Sequence, residues 1–199
     1  MNSLVVATNN RHKAREMVEI LREKLSGVWH IKTLLDFDPF PEPDETGDSY
    51  EENAKIKAEA AAKHTGELCI ADDAGLEIDA LGGSPGVHSK RFEGEHTSFD
   101  QKIAKILEAM QATPEGQRGA RFNCWVAIAS PQTATKVFSA TREGTIARKP
   151  KGERGFGYDP IFYLADLNKT MAQLTPEQKN ATSHRGKVLA LVAEYLNAL

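Results

Sequence analysis

Apolar residues recur along this chain at two spacings, and the alternation between them predicts strands and amphipathic helices in turn. Leu4 to Ala7 is a short apolar run that predicts a buried strand. The polar stretch Thr8 to Lys13 follows, and Ala14, Met17, Val18, Leu21 and Leu25 then fall on one helix face. Trp29 to Leu35 predicts a second strand, whereas Asp36 to Asp48 is too rich in proline and acid for a central strand or a helix and predicts a loop. Ser49 with Glu52 forms a capping box for a helix through His64, with Ala54, Ala58 and Ala61 packing closely and Lys57 sharing a face with Asn53.

The stretch from Leu68 to Leu81 predicts a pair of strands, Gly75 letting the chain turn sharply after Asp72 and Asp73. Gly82 to Gly86 is a tight turn into a segment carrying Lys90 and Arg91. A helix begins near Ser98, boxed by Gln101, and its buried stripe of Ile103, Ile106, Leu107 and Met110 marks it as purely structural. Arg121 to Ala129 and Thr135 to Ile146 are rich in β-formers and parted by Pro131, which predicts a long antiparallel hairpin. Lys151 to Pro160 is a glycine loop. Thr175-Pro176-Glu177 starts a short helix carrying Lys179, and Ser183 starts another that packs through Val188, Leu189, Val192 and Leu196. The whole predicts an α/β protein with antiparallel pairing mixed into its sheet.

At 199 residues the chain fits one domain, or one domain of two lobes, and is long enough to bury a core without staples. A formal net charge of -3 argues against a general nucleic-acid binder, which needs a basic surface, but leaves room for a small phosphorylated ligand in a local basic pocket. Cys69 and Cys124 sit in apolar runs and read as reduced thiols in a core. No signal peptide or membrane-spanning stretch is predicted, so the expected location is cytoplasmic.

Three stretches carry candidate chemistry. The apolar run into Asp72 and Asp73 delivers two carboxylates to the edge of a core, where they need a cationic partner. A divalent metal such as Mg²⁺ bound to phosphate is one answer, and an Asp-rich turn is the other. Neighbouring strand residues face opposite ways, so the two acids are expected to do different jobs. Thr8-Asn9-Asn10-Arg11-His12-Lys13, between a strand and a helix start, is either an anion site or a polar turn with a solvated Lys13. Phe156, bracketed by glycines and followed by Gly157, Tyr158 and Asp159, is either a stacking platform for a base or a plug in the core. His184 and Arg185 occupy the first turn of the last helix, where positive charge opposes the dipole, and such violations often mark functional sites.

Taken together, Thr8 to Lys13, Glu45-Thr46-Gly47, Glu52-Asn53-Ala54 with Lys57, Ala71 to Gly75, Ser84-Pro85-Gly86, Phe156 to Pro160 and Ser183-His184-Arg185 resemble the inosine triphosphate pyrophosphatase family, the Ham1 and RdgB type of house-cleaning enzyme. The resemblance covers nearly the whole chain in order. It implies an elongated mixed β-sheet flanked by helices, two lobes with a nucleotide cleft between them, and a homodimer. The implied activity is Mg²⁺-dependent hydrolysis of ITP, dITP and XTP to the monophosphate and pyrophosphate.

By that resemblance Asp73 is the catalytic carboxylate and a metal ligand, Glu45 its metal partner, and Lys57 a second catalytic group. Thr8 to Lys13, Ala74, Gly157 and Tyr158 would meet the substrate, Phe156 would stack the base, and Asp159, Lys179, His184 and Arg185 would read its edge. Asn9 stands where the family often has glycine, and asparagine tolerates left-handed geometry. Ala74 replaces a small hydroxyl residue and loses any side-chain hydrogen bond there. Two rival functions share these residues, a non-enzymatic nucleotide- or RNA-binding module and a metal-dependent phosphatase removing the terminal phosphate. The acids argue against the first unless a metal reconciles them with a polyanion, and product identity separates the second.

Overall fold

A computed structural model describes residues 2–41, 43–94 and 96–199. The chain runs β1 (Asn2–Val6), α1 (Arg11–Lys24), β2 (Trp29–Thr33), α2 (Tyr50–Thr65), β3 (Leu68–Ile78), α3 (Phe99–Ala109), β4 (Gly119–Ser130), β5 (Thr133–Ile146), β6 (Phe162–Leu164), β7 (Lys169–Thr170), α4 (Pro176–Thr182) and α5 (His184–Asn197). Among the described residues the strands form one mixed seven-stranded sheet in the order β2-β1-β3-β4-β5-β6-β7. Strand β1 is parallel to both β2 and β3, with Val5 opposite Cys69, while β6 is antiparallel to β5 and to β7. The fold class is therefore α/β, as the alternating periods predict.

Residues cluster into two units, Met1–Asp73 with Cys124–Ala140 and His184–Leu199, and Ala74–Asn123 with Thr141–Ser183. In the first, the alanine face of α2 (Ala54, Ala58, Ala61 and Ala62) packs with Ala71, Ala127 and Ala129. Small side chains on both surfaces let helix and strands approach closely. In the second, Leu76, Ile78, Ile103, Ile106, Phe162 and Met171 are among the residues that fill a separate core. The thiols of Cys69 and Cys124 are buried and reduced, burial pushing the first up to about 11 and the second up to about 12. No helix among the described residues is long and apolar enough to cross a membrane.

Four local expectations change. Residues 68–78 form one uninterrupted strand, not two with a turn at Gly75. Distant contacts explain it, since β3 lies between β1 and β4 and, past the β1 ladder that ends at Ile70, the Leu76 amide bonds Ser89 Oγ and Glu77 bridges Pro85. The strand expected to reach Leu35 ends at Thr33, where Asp36 Oδ2 accepts from the Thr33 amide and turns the chain, leaving Leu35 87% exposed. Helix α1 buries Met17, Ile20 and Leu21, and Leu25 already lies past its end as the C-cap. Ser49 does cap α2, yet Glu52 reaches back to the Asp48 amide (2.8 Å) instead of closing the box. The box at Ser98 and the helix start at Thr175 form as their sequences predict, and at Thr175 Gln178 closes a box as well.

Candidate active site

In the first unit, Asp72 and Asp73 leave β3 with different partners, as strand alternation requires. Asp72 Oδ2 accepts from Arg185 Nη2 (2.7 Å) and Nε (3.2 Å), and Lys13 Nζ lies 3.3 Å from Oδ1. Arg185 Nη1 also donates to Glu16 Oε2 at 2.9 Å. Burial favours the neutral acid at Asp72, but Lys13, Arg185 and Lys57 together outweigh it and hold the carboxyl well below the usual carboxylate range. The first turns of α1 and α5 thus supply the cations that keep this acid ionised.

Asp73 faces α2. Lys57 Nζ donates to Asp73 Oδ1 and to Glu45 Oε1, both at 2.9 Å. Lys57 is buried because it shares the alanine face of its helix, and although burial opposes its charge, Asp73, Asp72 and Glu45 hold its ammonium above the usual lysine range. Burial pushes the Asp73 carboxyl up, against the pull of Lys57 and Lys13. Asp73 Oδ2 is buried and has no hydrogen-bond partner among the described residues.

Glu45 is placed by the turn ahead of α2, where the Gly47 amide donates to Asn53 Oδ1 (2.9 Å). A Cβ on Gly47 would lie 2.8 Å from that oxygen, so the close approach needs glycine. Two carboxylates, one with an unsatisfied oxygen, suit a hard cation that completes its shell from phosphate. Among the described residues no group of three or more His, Cys, Asp or Glu is arranged to hold a metal by itself.

The turn from Thr8 to Lys13 is organised by its own side chains. Asn10 caps α1, its Oδ1 accepting from His12 (3.0 Å) and Lys13 (3.2 Å), and Thr8 Oγ1 accepts from the Asn10 amide (3.2 Å). Two of the amides that would have served an anion are therefore spent on the cap. Asn9 is not among the left-handed residues, so its tolerance for that geometry is not used. His12 and Arg11 are exposed, and Arg11 borders a cavity of about 620 Å³ together with Thr8, Asn9, Leu34, Phe37 and Phe40.

The second unit holds Ala74 and the glycine loop. Gly152, Gly155 and Gly157 all have positive φ. Asp159 Oδ2 accepts from the Phe156 amide (2.9 Å) and from Lys179 Nζ (2.7 Å), and Lys179 Nζ lies 4.6 Å from the centroid of the half-buried Phe156 ring. Tyr158 is buried, its hydroxyl donating to the Ser89 carbonyl at 2.9 Å. Of the loop's two aromatic residues, Phe156 is half-buried and Tyr158 fully buried.

Residues 4–195 match the Ham1 family. The chain belongs to that family. A relative named dITP/XTP pyrophosphatase in Geobacillus kaustophilus is 48% identical over 98% of this chain and 94% of its own length. Another of that name in Bacillus subtilis is 43% identical over 100% of this chain and 98% of its own. Among solved structures, the Ham1 protein of Coxiella burnetii superposes with a TM-score of 0.89 at 40% identity, covering 100% of both chains, and that of Staphylococcus aureus with 0.85 at 41%, covering 99% of both.

Sequence reasoning about this Ham1 chain missed Glu16 and the placing role of Asn53. Glu16 lay within reach, since it follows Lys13 by three residues and so shares its helix face. Arg185, expected at a base edge, is found with Nε, Nη1 and Nη2 on Asp72 and Glu16. Nothing local to the sequence signals that pairing, because its partners come from other elements.

Proposed function

We infer that this chain hydrolyses non-canonical purine nucleoside triphosphates, ITP, dITP and XTP among them, to the nucleoside monophosphate and pyrophosphate. The observation that carries the reading is Asp73, a buried carboxylate with one oxygen on Lys57 and the other without a hydrogen-bond partner among the described residues, in a chain of the Ham1 family. Water would attack the α-phosphorus, giving its proton to Asp73 as the bond to the α,β-bridging oxygen breaks and pyrophosphate leaves. Lys57 holds Asp73 in place and, with Lys13, neutralises the triphosphate. Mg²⁺, held by Asp73 and Glu45, would supply further positive charge to the phosphates. Asn10 and Thr8 act by shaping the turn that presents Lys13.

The base is assigned to Phe156 for stacking and to Lys179 for its edge. An ammonium donor satisfies the 6-oxo group of hypoxanthine and xanthine but meets a second donor in adenine, leaving both unsatisfied. Arg185 is assigned to bracing Asp72. A homodimer working on the cytoplasmic nucleotide pool completes the proposal.

Product identification tests it. With dITP or XTP and Mg²⁺ the chain should release pyrophosphate and monophosphate in equal amounts. Release of inorganic phosphate would favour a terminal phosphatase, and binding without turnover a non-enzymatic module.

Two variants separate phosphate from base recognition. Lys13→Ala should weaken dITP, XTP and GTP to the same degree, because phosphate charge carries no base identity. A changed dITP to GTP ratio in kcat/KM would remove Lys13 from the phosphate site. Gly155→Ala combines a φ of +75° with a Cβ placed 2.1 Å from Asp159 Oδ2, so the loop cannot keep its form. Losing the base platform should cost about 5- to 150-fold in kcat/KM, the equivalent of roughly 1 to 3 kcal/mol of stacking. Wild-type kcat/KM in that variant would place the base elsewhere.

A further inference from the structure

Lys102, on the helix α3 whose apolar stripe reads as purely structural, is 1% exposed. Among the described residues its ammonium meets no carboxylate. It donates to the Lys90 carbonyl at 2.5 Å and lies 5.1 Å from the centroid of the Phe99 ring. Burial alone draws its pKa below the ordinary lysine value. An apolar residue of similar length would pack there without the cost of burying a charge, so the amine is retained for what it holds.

What it holds is the turn at residues 86–91. Ser89 Oγ accepts from the Leu76 amide (2.9 Å) and donates to the Gly86 carbonyl (2.6 Å). The Ser89 carbonyl accepts from the Tyr158 hydroxyl, and the next carbonyl, that of Lys90, accepts from Lys102. Consecutive peptides are thus pinned, one to the glycine loop and one to α3. A second route is aromatic. Phe99 stands edge-on to Tyr158 with centroids 5.2 Å apart at 86°, and a Cβ on Gly157 would be in ordinary contact with the Phe99 ring at 3.7 Å. Both routes end within two residues of Phe156.

We propose that Lys102 is a positioning residue for base binding, setting the Phe156 loop through the Lys90 and Ser89 carbonyls and through Phe99. The proposal rests on the assignment of Phe156 to the base made above. Lys102 touches no substrate; by fixing where Tyr158 sits it fixes the angle at which Phe156 is offered.

The test uses two probes, dIMP, which carries the base, and inorganic tripolyphosphate, which does not. Calorimetry on the wild type, Lys102→Met, Tyr158→Phe and the double variant reads affinity for each. Either single change should weaken dIMP by about tenfold and leave tripolyphosphate unchanged, and the double should lose little more than one single, because the two groups act through one turn. In turnover the same variants should raise KM for dITP and leave kcat near wild type. Unchanged dIMP affinity in a folded Lys102→Met, or parallel loss of tripolyphosphate, overturns the proposal. Should Lys102→Met fail to fold, Tyr158→Phe decides, since it removes one hydroxyl and no volume, and wild-type dIMP binding in it is equally fatal. A wild type that releases no pyrophosphate from dITP, with the variants still weakening dIMP, would sink the hydrolase reading alone.

Discussion

Asp73→Asn is expected to lower kcat for dITP and XTP by at least about 10² while leaving the melting temperature near that of the wild type. The amide keeps the shape and an oxygen for Lys57, which is also held by Glu45 at 2.9 Å. It cannot take a proton from water, and it is a poor partner for a hard cation. Stability should survive because burial already works against the charge at this position, so a neutral group removes little that the fold depends on. Steady-state kinetics at saturating Mg²⁺ and thermal unfolding check both halves. Wild-type turnover would end the catalytic assignment, and a collapse in melting temperature would show the residue to be structural.

Asp72→Asn should do the reverse. Its carboxylate takes two hydrogen bonds from Arg185 and faces Lys13, with a side chain that is fully buried. Neutralising it removes the acid that takes two hydrogen bonds from the guanidinium of Arg185, itself 2% exposed and paired also with Glu16 of α1. Breaking a buried ion pair from one side costs about 3 to 5 kcal/mol, which for a chain of this size is a fall of about 6 to 20 °C in melting temperature. Turnover measured below the transition should drop less than in Asp73→Asn. Equal kinetic losses in the two variants, with no loss of stability in Asp72→Asn, would show that the two acids share one task.

Several elements were legible because their cause is local. The Ser98–Gln101 box, the Thr175-Pro176 helix start and the hairpin around Pro131 each depend on residues within one turn of each other, and all three form as read. Alternation along a strand likewise separated the partners of Asp72 and Asp73 before any partner was known. That the acids needed cations also followed from chemistry alone, since a buried carboxylate is costly without one.

Which cations they received was decided only by the tertiary structure. Arg185 reaches Asp72 across 113 residues of chain, and Lys57 reaches Asp73 because the alanine face of α2 carries it into the core. Gly75 reads locally as a turn, but past the β1 ladder the Ser89 hydroxyl on the Leu76 amide and Pro85 bridged to Glu77 hold the strand extended, and Lys102, on a helix read as purely structural, is packed against the Lys90 carbonyl. In each case the outcome depends on sheet order and helix placement. Those bring together groups far apart in sequence, and no period along the chain records which of them will meet.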